Sequence, residues 1–107
     1  MKHKLQRLSG KEFLILEMLV SAAGRESYGM ELTAASNGQL ARGTVYVTLG
    51  RMEDKGLVES RREEPGPGVR GVPRRLYRPT AHGARMFTAY RRLLAVSGRL
   101  SPALGNR

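Results

Sequence analysis

The 107-residue chain has no cysteine and no tryptophan, only two histidines, and no aspartate or glutamate from Pro65 to its last residue. The missing cysteine excludes a disulfide framework, a thiolate zinc site and a cysteine nucleophile. His3 and His82 stand apart, with no serine or carboxylate at a spacing that would position a general base. No carboxylate pair or histidine cluster has metal-ligand spacing, and no phosphate-binding glycine loop follows a strand. Catalysis, a metal site and a cofactor are therefore not expected. Long apolar runs are also missing: the longest, around Phe13 to Val20, is interrupted by Glu17 and is too short to span a bilayer. The basic opening MKHKLQRLSGKE lacks a following signal-peptide cleavage pattern, so the chain is read as soluble and cytoplasmic.

What the chain does have is positive charge. Nineteen Lys and Arg against nine Asp and Glu give a formal charge of +10 and a pI near 11.1, a field that attracts polyanions. Nine arginines lie in the acid-free second half, which makes nucleic acid the leading partner. The length suits one domain, with a core modest enough to be completed by a second copy of the chain.

Local signals order the elements. Ser9 and Glu12 have capping-box spacing, with Leu8 and Phe13 placed as a hydrophobic staple, so a first helix starts near Ser9 and stops at Gly24. Ser27 is expected to cap a short second helix ending at Asn37-Gly38. In GTVYVTLGRMEDKGLVES, Val45, Leu49 and Met52 recur at helical spacing and form a buried stripe, and Gly56 followed by Leu57 predicts a Schellman-type stop. LVESRR and RRLYR are extended segments flanking EEPGPGVRGVP, a long-looped hairpin. Thr80 then caps a last helix whose Met86, Phe87, Tyr90, Leu93, Leu94 and Ser97 mark a heptad-like seam. The expected fold is mainly α with a small β wing: a winged helix-turn-helix over residues 1–79, a C-terminal dimerisation helix over 80–98 packed on it, and a loose tail over 99–107.

YGMEL at Tyr28, GTVYVTLGRMEDKGLVES at Gly43 and PRRLYRPTAHG ending at Gly83 resemble the PadR-like family of winged-helix transcriptional regulators, its compact branch included. The resemblance spans roughly residues 9 to 95. It implies a homodimer that represses promoters and pairs through its last helix. In some members of the family an aromatic or planar effector binds.

In a winged helix-turn-helix the second helix of the pair enters the DNA major groove. The candidate DNA-contacting residues on that helix are Arg42, Gly43, Thr44, Tyr46, Val47 and Arg51. Gly43 and Gly50 permit close backbone approach, a Val47 methyl can meet a thymine methyl, and Thr44 and Arg51 can reach base edges or phosphates. Tyr46 either donates its hydroxyl to a phosphate or packs with a wet tip. On the hairpin, Arg61, Arg62, Arg70, Arg74 and Arg75 are candidates for phosphate or minor-groove contact, diluted by Glu59, Glu63 and Glu64. The N-terminal Lys2, Lys4, Arg7 and Lys11 read more readily as a disordered basic end. Phe87, Tyr90, Leu93 and Leu94 are candidates for a dimer seam, for the remainder of the core, or for the wall of a pocket that takes a small aromatic effector. The rival is a basic winged-helix module for RNA or a protein partner. Four tyrosines and two phenylalanines leave it few exposed rings for base stacking.

Overall fold

A computed structural model of the chain describes residues 7–63, 66–68, 71 and 74–100, with side chains through residue 96. Its elements are α1 (Gly10–Ser21), β1 (Ser27–Tyr28), α2 (Gly29–Ala35), α3 (Arg42–Asp54), β2 (Val58–Glu63), β3 (Arg74–Pro79) and α4 (Ala81–Leu100). The capping box at the start of α1 forms as expected: Ser9 Oγ accepts the Glu12 N–H at 3.1 Å, and the Glu12 carboxylate accepts the Ser9 N–H at 2.9 Å. The same carboxylate is buried and receives Lys55 Nζ at 2.9 Å, so the head of α1 is tied to the C-terminal cap of α3.

α1 is the centre of the core. Ile15, Leu16 and Leu19 are fully buried, and Leu32, Leu40, Val45, Leu49, Met52, Leu57 and Val58 join them in one cluster. The predicted stripe of α3 is therefore its inward face, and Thr48 is buried beside it. The turn between α2 and α3 is held by Ser36, whose buried hydroxyl donates to the Thr33 carbonyl at 2.7 Å and accepts the Leu40 N–H at 3.1 Å. Asn37 and Gly38 take the positive φ values that reverse the chain there.

Ser27 does not cap α2. It lies in β1, paired with Tyr77, while Tyr28 pairs with Leu76. The helix begins after Tyr28, and the Glu31 carboxylate accepts the Tyr28 N–H at 2.7 Å in place of a serine cap. The wing is accordingly a three-stranded antiparallel sheet in the order β1-β3-β2 rather than a bare hairpin. The cap fails because Ser27 has a ladder partner about fifty residues away, which local spacing does not report.

The end of α3 is built as predicted. Gly56 has φ 77°, its N–H donates to Glu53 O at 3.0 Å, and the Leu57 N–H donates to Met52 O at 2.9 Å. One node then joins three elements. The Leu57 carbonyl accepts the Thr80 N–H at 3.0 Å, Thr80 Oγ1 donates to Gly56 O at 2.6 Å, and the same oxygen caps α4 by accepting the Gly83 N–H at 2.9 Å. Gly83 is buried against the Leu57 carbonyl.

α4 divides the expected seam. Phe87 belongs to the subunit's own core, its ring 5.1 Å from that of Phe13, and the Tyr90 hydroxyl accepts the Leu8 N–H at 2.9 Å. Leu93, Leu94 and Val96 are exposed. The helix runs to Leu100, two residues past the predicted end. The N-terminal Lys2 and Lys4, and the tail beyond residue 100, lie outside the described residues.

Candidate nucleic-acid interface

At 3.6 residues per turn, Gly43, Val47 and Gly50 fall along one line of α3, opposite the buried Val45, Leu49 and Met52. Val47 is 57% exposed and is the only side chain larger than hydrogen on that stretch of the ridge. A Cβ added at Gly43 or at Gly50 would meet nothing within 4 Å, and neither residue has a positive φ. The fold thus needs neither glycine, although each weakens a helix by about 0.5–1 kcal/mol relative to alanine. Half-buried Thr44 and exposed Arg51 flank the ridge on one side, and Arg42 and Tyr46 flank it on the side of the sheet. Of the two readings of Tyr46, the structure shows the packed ring with a partly exposed tip. Its ring lies over Gly29, where a Cβ would come within 2.6 Å of it, yet the residue remains 41% exposed.

The wing sorts its arginines by strand alternation. Opposed residues of an antiparallel pair share a face, and the register sets Val58 against Pro79, Ser60 against Tyr77 and Arg62 against Arg75. This face turns to α3: Arg75 Nη1 donates to Ser60 Oγ at 3.0 Å, and Ser60 donates to the Glu53 carboxylate of α3 at 2.7 Å. The other face carries Arg61, Arg74 and Arg78, and each has a carboxylate. Arg61 holds Glu26 at 2.7 Å, Arg78 holds Glu59 at 2.7 Å and Arg74 holds Glu63 at 3.5 Å. Arg74 also lies 4.0 Å above the Tyr28 ring, and the Tyr28 hydroxyl donates to Glu63 at 2.7 Å.

These contacts shift the groups that make them. The hydrogen bonds from Arg61 hold the Glu26 carboxyl below the ordinary carboxylate range, and Glu26 raises Arg61 in return. Donation to the Glu63 carboxylate raises Tyr28. Burial raises Tyr77 on the inner face.

The five wing arginines grouped in the sequence therefore separate. Arg62 and Arg75 share the face that turns to α3, Arg61 and Arg74 are paired on the back, and Arg70 lies outside the described residues. Sequence reasoning missed Glu26, the buried Glu12–Lys55 bridge and β1. None has a local signature, since the partners lie 35, 43 and about 49 residues away.

A helix-turn-helix followed by a β wing defines the winged helix-turn-helix class. Residues 15–89 match the transcriptional regulator PadR-like family, and the chain belongs to that family. Among solved structures it is similar to a PadR family transcription regulator from hypervirulent Clostridium difficile, with a TM-score of 0.71 and 23% identity over 86% of this chain and 94% of that one. A PadR-like transcriptional regulator from Bacillus cereus gives 0.66 and 24% over 90% and 88%. A mutant MarR from E. coli in complex with operator DNA gives 0.66 and 25% over 91% and 61%. No curated protein matches in sequence. No described helix is long and apolar enough to cross a membrane.

Proposed function

We propose that the chain is a sequence-specific DNA-binding repressor that acts as a homodimer on a palindromic operator. The observation that carries this reading is the Gly43-Val47-Gly50 ridge, where two glycines that the fold does not require clear a track around one exposed apolar side chain. Such a ridge suits the floor of a major groove, with Val47 against a thymine methyl and Thr44 and Arg51 toward base edges. The likeness to a regulator solved on operator DNA supports DNA as the partner. Arg75, on the face of α3 and without a carboxylate partner among the described residues, suits a phosphate. Selection of duplexes from random sequence tests the reading: the enriched site should be palindromic, its half-sites about one helical turn, roughly 10 bp, apart or a multiple of that. Equal retention of all duplexes, or stronger competition by single-stranded RNA, would overturn it.

The wing gives a sharper expectation. Arg75→Ala should weaken specific and random duplexes together and lower the salt-dependence slope by about one. Arg61→Ala should leave that slope nearly unchanged, because Glu26 already neutralises its charge. Fluorescence anisotropy across a salt series checks both.

Pairing of subunits falls to the end of α4. Leu93, Leu94 and Val96, between 47% and 54% exposed, crowd into one turn of the helix, and a second copy would remove them from water. Leu93→Asp should convert a micromolar dimer to monomer, because association would bury an unpaired carboxylate. Sedimentation velocity reads the result.

A further inference from the structure

We infer that Ser60 is a positioning residue: its hydroxyl, fixed by Glu53, holds the Arg75 guanidinium at a set offset from α3 and so gives a phosphate contact the power to set register on DNA. The inference rests on the DNA-reading role proposed above and names how the wing takes part in it. The contacts run in one direction. Ser60 has a single hydroxyl proton, and it goes to the Glu53 carboxylate at 2.7 Å. Only the oxygen lone pairs are left to face the wing, where Arg75 Nη1 donates to them at 3.0 Å. A carboxylate accepts and a guanidinium donates, so the order carboxylate, hydroxyl, guanidinium has no reversed form. The anionic end also strengthens the other link, because a hydroxyl that donates to a carboxylate becomes a better acceptor.

The chain ties together the elements that a duplex would meet. Glu53 lies in the last turn of α3, Ser60 on β2 and Arg75 on β3. Ser60 stands opposite Tyr77 in the ladder, and Arg75 is the next residue of β3 on the same face. Tyr77 is part of the core, so both strands are anchored at this point.

The arginines of the other face show what is special about this arrangement. Arg61, Arg74 and Arg78 are held by carboxylates directly, which neutralises them. Arg75 is exposed and is held through a neutral hydroxyl, with no carboxylate in contact among the described residues. The tether fixes direction and leaves the charge in place. A guanidinium has five N–H donors, so the one given to Ser60 leaves others for a phosphate oxygen. Phosphate contacts carry no sequence information of their own, but they set where a protein sits on the duplex. An arginine locked to α3 meets a phosphate only when the backbone lies at one offset from the bases facing that helix. A free arginine finds a phosphate on any duplex. Loss of the hydroxyl should therefore remove specificity and keep electrostatic attraction.

The test has two arms, both on the full chain. Without DNA, nitrogen-15 NMR follows rotation of the Arg75 guanidinium about its Nε–Cζ bond. Rotation should be about 3- to 10-fold slower in the wild-type chain and in Ser60→Thr, which keeps the hydroxyl, than in Ser60→Ala. With DNA, fluorescence anisotropy compares the selected operator with a random duplex. Ser60→Ala should lower operator affinity about 3- to 10-fold, leave the random duplex and the salt-dependence slope unchanged because the charge is retained, and Ser60→Thr should restore the operator. Adding Ser60→Ala to Arg75→Ala should bring no further loss, since the hydroxyl acts only through that guanidinium. A guanidinium that rotates equally fast with and without the hydroxyl overturns the tether. An unchanged ratio of operator to random affinity in Ser60→Ala, or an additive loss in the double variant, overturns the register role and leaves the DNA reading standing. A wild-type chain that prefers no duplex while its guanidinium is restrained removes the DNA reading, and the register role with it.

Discussion

Gly83→Ala is expected to cost about 3 kcal/mol, the upper end of what overpacking usually costs, and to lower the melting temperature by roughly 12–24 °C. An added Cβ would overlap the Leu57 carbonyl oxygen and lie 2.9 Å from the carbonyl carbon. The obstacle is backbone, and it is not free to yield. The Leu57 carbonyl accepts the Thr80 N–H, and Thr80 in turn bonds Gly56 and caps α4. Moving α4 outward to make room would also pull Met86 and Phe87 from the core. Gly10→Ala is the control, because a Cβ there meets nothing within 4 Å. Thermal unfolding followed by circular dichroism should separate the two variants clearly. A loss below about 1 kcal/mol for Gly83→Ala, at the low end for overpacking, would mean that α4 can tilt on its node.

The double variant Gly43→Ala, Gly50→Ala should move stability and function in opposite directions. Both positions have open space and ordinary helical backbone, so the fold should gain about 1–2 kcal/mol. Binding to the selected operator should fall about 10- to 100-fold, since two methyls on the ridge would lift Val47 and its neighbours from the base edges. Few surface substitutions raise melting temperature while removing function, and a general folding defect cannot mimic that combination. A variant that melts higher and still binds its operator undiminished would show that the ridge does not enter the groove.

The parts of the fold legible in the sequence are those whose cause is local. The Ser9 and Glu12 box, the stop at Gly56 and Leu57, and the Thr80 cap each act within a few residues, and each forms as read. The motif running from Tyr77 through Thr80 to Gly83 gains a reason: a buried ring, a cap shared between two elements and a close backbone approach. What stayed illegible depends on register or on distant partners. Strand alternation separates Arg61 from Arg75 only once β2 is set against β3, and that offset depends on a long loop of glycine and proline. Ser27 offered a plausible cap, but its pairing with Tyr77 takes precedence. The spacing of Phe87 marks it as inward-facing, yet spacing does not say whether inward means this subunit or the next; Phe13 and the core decide that.

The back of the wing has a kinetic consequence. Among the described residues, Arg61, Arg74 and Arg78 there are matched by Glu26, Glu63 and Glu59, and the hydrogen bonds from Arg61 hold the Glu26 carboxyl below the ordinary carboxylate range. A polyanion approaching these pairs meets guanidiniums already matched by carboxylates, whereas one approaching α3 meets Arg42 and Arg75, which have no carboxylate partner among the described residues. With the DNA-reading role proposed for α3, this difference would favour encounters that begin with α3 forward. Removing Glu26 would add positive charge to the molecule and at the same time blunt that orientation.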